Sequence, residues 1–195
     1  KRQVMKILSQ ATRIIAEGEV LQLSKVRDAS TTEETYMEVI RGKTAMLFEA
    51  STHSAAVLCG ATTEQAEALR TFGDHLGVAF QLVDDLLDYR GDAETLGKNV
   101  GDDLAEGKPT LPLIYTMREG TPEQAALVRK AIQKGGIEDL EAIRAAVEAS
   151  GSLEYTAQLA RDYAARAIQC LEALPPSEYR DALVELSEFA VARTH

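Results

Sequence analysis

The sequence contains no tryptophan, and only 5% of its residues are aromatic. Runs of β-branched residues are short, whereas Ala, Leu and Glu are common. Because strands are rich in aromatic and β-branched side chains, this composition disfavours a sheet and favours helices. Long apolar runs are also missing, since no stretch approaches the roughly 20 residues that cross a bilayer, and no signal peptide opens the chain. We therefore expect a soluble, intracellular protein.

Cysteine and positive charge are scarce as well. Cys59 and Cys170 lie far apart, outside any metal-like spacing and in apolar helical contexts. We interpret them as reduced core thiols of a cytoplasmic protein. With 21 basic against 31 acidic residues the formal net charge is -10, which disfavours a nucleic-acid backbone or an anionic membrane as a general partner. Any anionic ligand must be held by local basic groups.

The apolar pattern predicts one all-α domain over residues 1–195, because 45% of the 195 residues are hydrophobic, enough for one sizeable core. The helical period is present from the first residue, so we expect a helix entered midway and a fragment of a longer protein. A capping-box pattern, TTEE, predicts that a second helix starts near Thr32. Predicted helices cover about 1–23, 32–59, 63–89, 110–118, 122–134, 137–149, 152–173 and 176–193, and residues 90–110, rich in Gly and charge, are predicted to form a long functional loop.

The stretch FQLVDDLLDY, residues 80–89, combines apolar residues with three aspartates. At 100° per residue, Gln81, Asp84, Asp85 and Asp88 fall within about 100° of one another, opposite an apolar arc. One interpretation is the solvated face of an amphipathic helix. Against it, no Lys or Arg lies three or four residues away among the aspartates to offset their repulsion. The second interpretation is a cation site, for which Mg²⁺ with substrate phosphates is the natural occupant.

Phosphates need positive groups, and three lysines are candidates: Lys43, Lys98 and Lys108. The last two lie in the Gly-rich loop, where a plain surface turn is the alternative interpretation. Lys43 stands at the start of residues 45–59, which carry few strongly polar groups and are therefore predicted to form a central, largely buried helix. Lys43 then needs an anionic partner or a path to solvent. His53 is interpreted as a core histidine hydrogen-bonded within this helix rather than as a catalytic base.

Four segments together carry a family resemblance: GEVLQL at 18–23, GKT at 42–44, FQLVDDLLDY at 80–89 and GKNVGDDLAEGKPTLPL at 97–113. The sequence resembles the C-terminal part of a trans-prenyltransferase, or polyprenyl diphosphate synthase. It is most similar to bacterial long-chain members such as octaprenyl diphosphate synthases. A DDxxD motif alone is a modest signal, but its combination with the GKxxGxDLxxGKxTLP loop is specific.

The resemblance implies an antiparallel helical bundle around a central active-site cavity, Mg²⁺ as cofactor, and condensation of an allylic prenyl diphosphate with isopentenyl diphosphate. It implies a homodimer. It also assigns roles to individual residues. Asp84, Asp85 and Asp88 would bind the metal; Lys43, Lys98 and Lys108 would hold the allylic diphosphate; Thr44 and Gln81 would line the place where the carbocation forms; and Asp103 would support the metal shell or orient Lys98.

The sequence departs from the family pattern in one respect, because it contains a single DDxxD motif where the family has two. We therefore expect this chain alone to be catalytically incomplete. Three alternatives stay open: a regulatory subunit of a heteromeric prenyl synthase, a terpene cyclase or squalene-type synthase, and a plain helical scaffold. A regulatory subunit often loses the aspartates, which are intact here. The GKxxGxDLxxGKxTLP loop argues against the cyclase and the squalene-type enzyme.

Overall fold

The computed structural model describes residues 2–90, 101–135 and 138–192. Throughout these ranges the regular structure is helical and contains no strand, which confirms the all-α prediction. The helices are α1 (Arg2–Lys25), α2 (Glu33–Ile40), a π-helical turn (Arg41–Ala45), α3 (Met46–Leu58), α4 (Thr63–Arg90), α5 (Asp102–Glu106), α6 (Leu111–Glu119), α7 (Pro122–Lys134), α8 (Leu140–Ala149), α9 (Ser152–Cys170), a 3₁₀ turn (Leu171–Ala173) and α10 (Glu178–Ala192).

The long helix α4 forms the centre of the bundle and packs mainly against α3 and α9. Its apolar arc is confirmed, since Leu82, Val83 and Leu86 are fully buried. Val78 and Ala79 join Leu82 and Val83 in a core cluster with residues of α2, α6 and α9. Burying such side chains contributes about 1.5–3 kcal/mol for each large aliphatic group. The bundle thus holds α4 in place along its length, and the acidic side of this helix is held with it.

The segment predicted as one helix over 32–59 begins as expected and then changes its winding. The side chain of Thr32 accepts a hydrogen bond from the backbone N–H of Thr35, so the predicted start is confirmed. At Arg41 the chain widens into the π-helical turn before α3 continues. Single π turns inside helices often occur at functional sites. This one contains Lys43 and Thr44, two of the candidate site residues.

Two glycines let neighbouring helices approach the π-helical turn closely. A Cβ atom on Gly18 of α1 would lie 2.7 Å from the backbone nitrogen of Lys43. On the other side, a Cβ atom on Gly77 of α4 would lie 2.5 Å from the Cα of Ala45. Both separations are too short for real carbon contacts. The turn is therefore packed between two helix backbones at positions where only glycine fits without displacement.

The π-helical turn is also tied to the bundle by an arginine. Arg41 forms an ion pair with Asp74 on α4 and donates a hydrogen bond of 3.0 Å to the hydroxyl of Tyr163 on α9. The ion pair lowers the pKa of Asp74 together with the neighbouring His75, although burial opposes this effect. Asp74, which shares the acidic stripe in sequence, is thus used to anchor the turn. It does not line the same cavity as Asp84.

Several expectations about burial are wrong. The helix α3 is not largely buried in this chain: Leu47 is 58% exposed and Leu58 is 65% exposed. Its buried face consists of small residues, Ala50, Ser54 and Ala56, because the close approach of α4 leaves room for nothing larger. The cysteines are free, as expected, but Cys59 is exposed and Cys170 is half-buried. His53 is also only half-buried, so it is not a core histidine.

The predicted long loop over 90–110 is only partly irregular. Residues 91–100 lie outside the described part of the chain, and Lys98 with them. Residues 102–106 form the short helix α5, which the glycine and charge content of the segment concealed. Gly101 and Gly107 bound it in the left-handed conformation that glycine adopts most easily. Another predicted helix, 137–149, is shorter than expected because α8 starts at Leu140.

The helix α1 has little contact with the core. Ala11 and Gly18 are its buried residues, whereas Met5, Leu8, Val20 and Leu23 are exposed. At 100° per residue these four apolar side chains fall within about 120° of one another, so they form one face. We call this the α1 apolar face. No helix of the described segments combines the length and hydropathy that crossing a membrane requires.

Gly77→Ala tests whether the close approach at the π-helical turn is necessary. The added methyl group would overlap the Ala45 backbone, so we expect the free energy of unfolding to fall by about 1–3 kcal/mol, the usual cost of overpacking. Gly42→Ala is the matched control, because its Cβ would meet its nearest neighbour at 3.4 Å. Urea denaturation compares the two. A Gly77→Ala variant as stable as the wild type would contradict the constraint.

Candidate active site

A cavity of about 210 Å³ opens between the C-terminal end of α1, α2, the π-helical turn, α4 and the segment around α5. It brings together residues that are up to about 90 positions apart in sequence. Most of the candidate residues line it: Lys43, Thr44, Gln81, Asp84, Asp85, Asp103 and Lys108. Two candidates are not among its lining residues, since Asp88 lies beside it and Lys98 falls outside the described residues.

The acidic side of α4 is not a solvated helix face. Asp84 is half-buried and lines the cavity, and Asp85 is 3% exposed. The carboxylate of Asp85 accepts a hydrogen bond of 2.6 Å from the Tyr36 hydroxyl and one of 2.8 Å from the Gln81 amide. Burial, with the nearby charge of Asp103, raises the pKa of Asp85 to about 8, although both hydrogen bonds oppose this. A carboxylate in such a position is costly unless it is partnered.

Asp88 has a different environment one turn further along α4. Its two carboxylate oxygens accept hydrogen bonds from the backbone N–H groups of Asp102 and Asp103, at 3.2 and 3.3 Å. Burial and the charge of Asp103 raise the pKa of Asp88 to about 6, and the backbone donors act in the opposite direction. Asp88 therefore joins α4 to the start of α5. In doing so it places Asp103 at the cavity.

The two described candidate lysines are each paired with nearby acidic groups. The Lys43 ammonium lies 2.8 Å from a carboxylate oxygen of Glu19 and 2.6 Å from the side-chain oxygen of Gln22, both on α1. The Lys108 ammonium lies 2.8 Å from Glu106 and 3.2 Å from Asp103. Burial lowers the pKa of Lys108, but these two acidic partners outweigh it and the net effect is a raised pKa. Both lysines are therefore charged at the cavity.

A chain of hydrogen bonds crosses the cavity wall from the π-helical turn to α2. The Thr44 hydroxyl donates to the side-chain oxygen of Gln81 at 2.9 Å, and the Gln81 amide nitrogen donates to Asp85. Tyr36 donates to the same aspartate from the other side. The amide orientation of Gln81 is defined by these two partners. Thr44 and Gln81 thus present oxygen and amide dipoles at fixed positions.

Sequence reasoning missed several lining residues, among them Gln22, Lys25, Thr31 and Tyr36. Gln22 lies within the GEVLQL segment and holds Lys43, so the motif contained a signal that was not used for a role. Tyr36 lies in the helix whose start was predicted, but nothing in the spacing indicates a hydrogen bond to a residue 49 positions away. Lys25 lies at the end of α1 and belongs to no motif.

The cavity can bind an anion and a divalent cation together. Among the residues that the structure describes, no three His, Cys, Asp or Glu side chains form a group that could enclose a metal ion. Mg²⁺ does not need such a cage, because it is usually held by one or two carboxylates, with waters and substrate phosphates completing its shell. Asp84 offers a carboxylate at the wall, and Lys43 and Lys108 line the same cavity. The arrangement is chemically suited to a metal-bound diphosphate.

The helical bundle and this cavity define the class of protein, an α-helical isoprenoid synthase fold, and solved structures of polyprenyl synthases share it. The model of the polyprenyl synthetase family matches residues 1–150. The chain therefore belongs to the polyprenyl synthetase family, and the resemblance and fold expected from sequence are confirmed. The assignment of the whole chain to one domain stays a prediction.

Individual relatives support the family at high identity. The chain is 53% identical over 192 residues to the octaprenyl diphosphate synthase of Escherichia coli (strain K12), covering 98% of this chain and 59% of that protein. It is 50% identical over 190 residues to the all-trans-nonaprenyl-diphosphate synthase (geranyl-diphosphate specific) of Rhodobacter capsulatus, covering 97% of this chain and 58% of that protein. The chain thus spans about three fifths of these relatives and corresponds to their C-terminal part.

Solved structures agree over the same extent. A polyprenyl synthase from Caulobacter crescentus CB15, complexed with calcium and isoprenyl diphosphate, matches with a TM-score of 0.94 and 44% identity, over 100% of this chain and 60% of that one. A decaprenyl diphosphate synthase from Rhodobacter capsulatus matches with a TM-score of 0.93 and 42% identity, over 100% of this chain and 61% of that one. The helical arrangement described above is therefore the arrangement of the family.

Asp85→Asn tests the protonation of the buried carboxyl group. Because folding raises the pKa of Asp85 from 3.8 to about 8, the folded chain keeps a proton that the unfolded chain releases. The stability that this group contributes is fully present below about pH 4 and is lost as the pH rises to about 8. Asn does not ionise, so its stability relative to the wild type should rise by more than about 1 kcal/mol between about pH 5 and pH 8.

Urea denaturation without divalent cations measures this difference. Asp162→Asn, at an exposed position of α9, is the control, and its stability relative to the wild type should be nearly constant over the same range. If Asp85→Asn and the wild type showed the same pH dependence, Asp85 would be ionised in the folded chain.

Proposed function

We propose that the chain forms the C-terminal part of a trans-prenyltransferase and supplies its allylic diphosphate site. The reaction would condense an allylic prenyl diphosphate with isopentenyl diphosphate to make a polyprenyl diphosphate, for instance for a quinone side chain. The observation that carries the proposal is the cavity itself, in which Asp84 and Gln81 from α4 meet Lys43 and Thr44 from the π-helical turn. The names of the relatives support the same reaction, since they are octaprenyl, nonaprenyl and decaprenyl diphosphate synthases.

We propose Mg²⁺ as the cofactor, because the donors at the cavity are hard carboxylate oxygens. Asp84 would hold the metal from the cavity wall. Asp85 and Asp88 would complete the site, although each already accepts two hydrogen bonds within the chain. When bound, the metal neutralises charge that develops on the leaving diphosphate. Asp103 would support the metal shell, since it lines the cavity and is held there by the Asp88 contact.

The lysines would bind the diphosphate and stabilise it as a leaving group. Breaking the allylic C–O bond places the bonding electron pair on the diphosphate and leaves an allyl cation. Lys43 and Lys108 carry charge at the cavity for this purpose, and Lys98 has the same proposed role from outside the described residues. The oxygens of Thr44 and Gln81 face the cavity, where they would stabilise the cation through their dipoles.

The second half of the reaction needs no nucleophilic side chain. The alkene of isopentenyl diphosphate attacks the allyl cation to form the new C–C bond, and the resulting cation loses a proton to the departed pyrophosphate. What the protein must supply is position and the exclusion of water. The buried contact between Tyr36 and Asp85 closes one side of the cavity to solvent.

Asp84→Ala is the direct test of the metal site. In the full-length protein, meaning the polypeptide that also contains the N-terminal part found in the relatives, we expect turnover to fall by several orders of magnitude. The fold should persist, because the substitution removes like-charge repulsion on α4. Radiolabelled isopentenyl diphosphate with an allylic starter and saturating Mg²⁺ measures product. Near-normal product formation would rule out a metal-binding role for Asp84.

The same assay includes residues 1–195 alone. We propose that this chain makes no elongated product, because it contains one DDxxD motif and one lysine-rich site. Product from the isolated chain would show that its site is complete.

We also propose that the full-length protein is a cytoplasmic homodimer and that the α1 apolar face is covered there. Patches of this kind above a few hundred Å² are rarely left exposed on soluble monomers. Isolated residues 1–195 should therefore self-associate in sedimentation velocity experiments. Leu8→Glu with Leu23→Glu should reduce the association, because both residues lie on that face. Leu186→Glu with Phe189→Glu, on the exposed side of α10, is the matched control. A monodisperse wild-type monomer would contradict this part of the proposal.

A further inference from the structure

Lys25 lines the same cavity as the two described candidate lysines, although no sequence motif includes it. It occupies the last turn of α1, and its side chain is 32% exposed. Its ammonium group lies 3.2 Å from a carboxylate oxygen of Asp28. A lysine in the last turn of a helix often serves only to complement the helix dipole. The position of Lys25 at the cavity raises a second possibility, contact with a ligand.

The partner of Lys25 is well supplied with other donors. The second carboxylate oxygen of Asp28 accepts hydrogen bonds from the backbone N–H of Ser30, at 2.9 Å, and from the Ser30 hydroxyl. These contacts lower the pKa of Asp28 more strongly than Lys25 does. Asp28 therefore stays ionised and hydrogen-bonded if the ammonium group moves away. Little holds Lys25 in its present contact.

The three described lysines of the cavity share this arrangement. Each is paired at the cavity rim with a carboxylate: Lys25 with Asp28, Lys43 with Glu19 and Lys108 with Glu106. Ion pairs between partly exposed groups contribute little to stability, so they are exchanged easily. A diphosphate carries several negative charges and offers more acceptor oxygens than one carboxylate. It can therefore replace the rim carboxylates as the partner of these lysines.

We propose that Lys25 is a further binding residue for the diphosphate group, which it reaches by exchanging Asp28 for the ligand. The inference rests on the proposed function and adds a residue to the same site. Lys25 would contribute a point charge from α1, on the opposite end of the cavity wall from the loop lysine Lys108. The allylic diphosphate would thus be held by cations from α1, from the π-helical turn and from the segment after α5.

The test is isothermal titration of inorganic pyrophosphate with Mg²⁺ into the full-length protein. Lys25→Ala should weaken binding about tenfold, which corresponds to about 1.4 kcal/mol. Lys25→Arg keeps the charge and should restore most of the affinity. Lys25→Gln keeps the bulk and should bind as weakly as the Ala variant, which separates charge from packing. Lys6→Ala, at an exposed position of the same helix, should bind pyrophosphate like the wild type.

A double-mutant cycle with Asp28 distinguishes direct contact from a distant charge effect. Asp28→Asn removes the competing carboxylate and should tighten pyrophosphate binding when Lys25 is present. In the Lys25→Ala background the same substitution should have a clearly smaller effect. Equal effects in both backgrounds would mean that Lys25 does not exchange Asp28 for the ligand, and would overturn the inference.

The outcomes also separate this inference from the proposed function. If Lys43→Ala weakens pyrophosphate binding and Lys25→Ala does not, Lys25 is a helix-end cation only and the proposed site stands without it. If Lys25→Ala lowers the melting temperature but leaves the affinity unchanged, the inference fails in the same way. A wild-type protein that does not bind pyrophosphate with Mg²⁺ would contradict the proposed function and this inference together.

Discussion

The rest of the site depends on the close approach of three backbone segments at the π-helical turn. Gly18 from α1 and Gly77 from α4 contact this turn from two sides, where a Cβ atom would overlap its backbone. The packing brings α1 near enough for Glu19 and Gln22 to hold Lys43, and α4 near enough for Gln81 to accept from Thr44. Because interiors are densely packed, a small shift here would move both contacts at once.

The electrostatics of the cavity follow from that packing. The wall combines Asp84, Asp85 and Asp103 with three lysines, so opposite charges face each other across a partly buried space. Each described lysine has a carboxylate partner while Asp85, the most buried acid, has neutral donors and a raised pKa. Ligand binding would therefore exchange existing ion pairs rather than capture free charges. This exchange links the structure to the proposed chemistry, because the same lysines would stabilise a leaving diphosphate.

The errors in sequence interpretation share one physical cause. Residues 45–59 are mostly apolar or small, and this composition does not show which side meets another helix. Leu47 and Leu58 are exposed although their hydropathy suggested burial, and Cys59 is exposed with them. In the same way, the glycines and charges of residues 101–107 indicated a loop but bound the helix α5. A helix of five residues is held by its surroundings, here the two Asp88 contacts, and local propensity is too weak to reveal it.

The sequence by itself determined the helical class, the bounds of most helices, the family, and the residues that meet at the cavity. These follow from periodicity and from motifs, which act over three or four residues and are readable locally. Only the tertiary structure decided how the residues divide their roles. It showed that Asp85 is buried between Tyr36 and Gln81, that Asp88 holds α5, and that Lys25 reaches the cavity. Burial, pKa and ion pairing depend on neighbours far away in the chain, so no local pattern contains them.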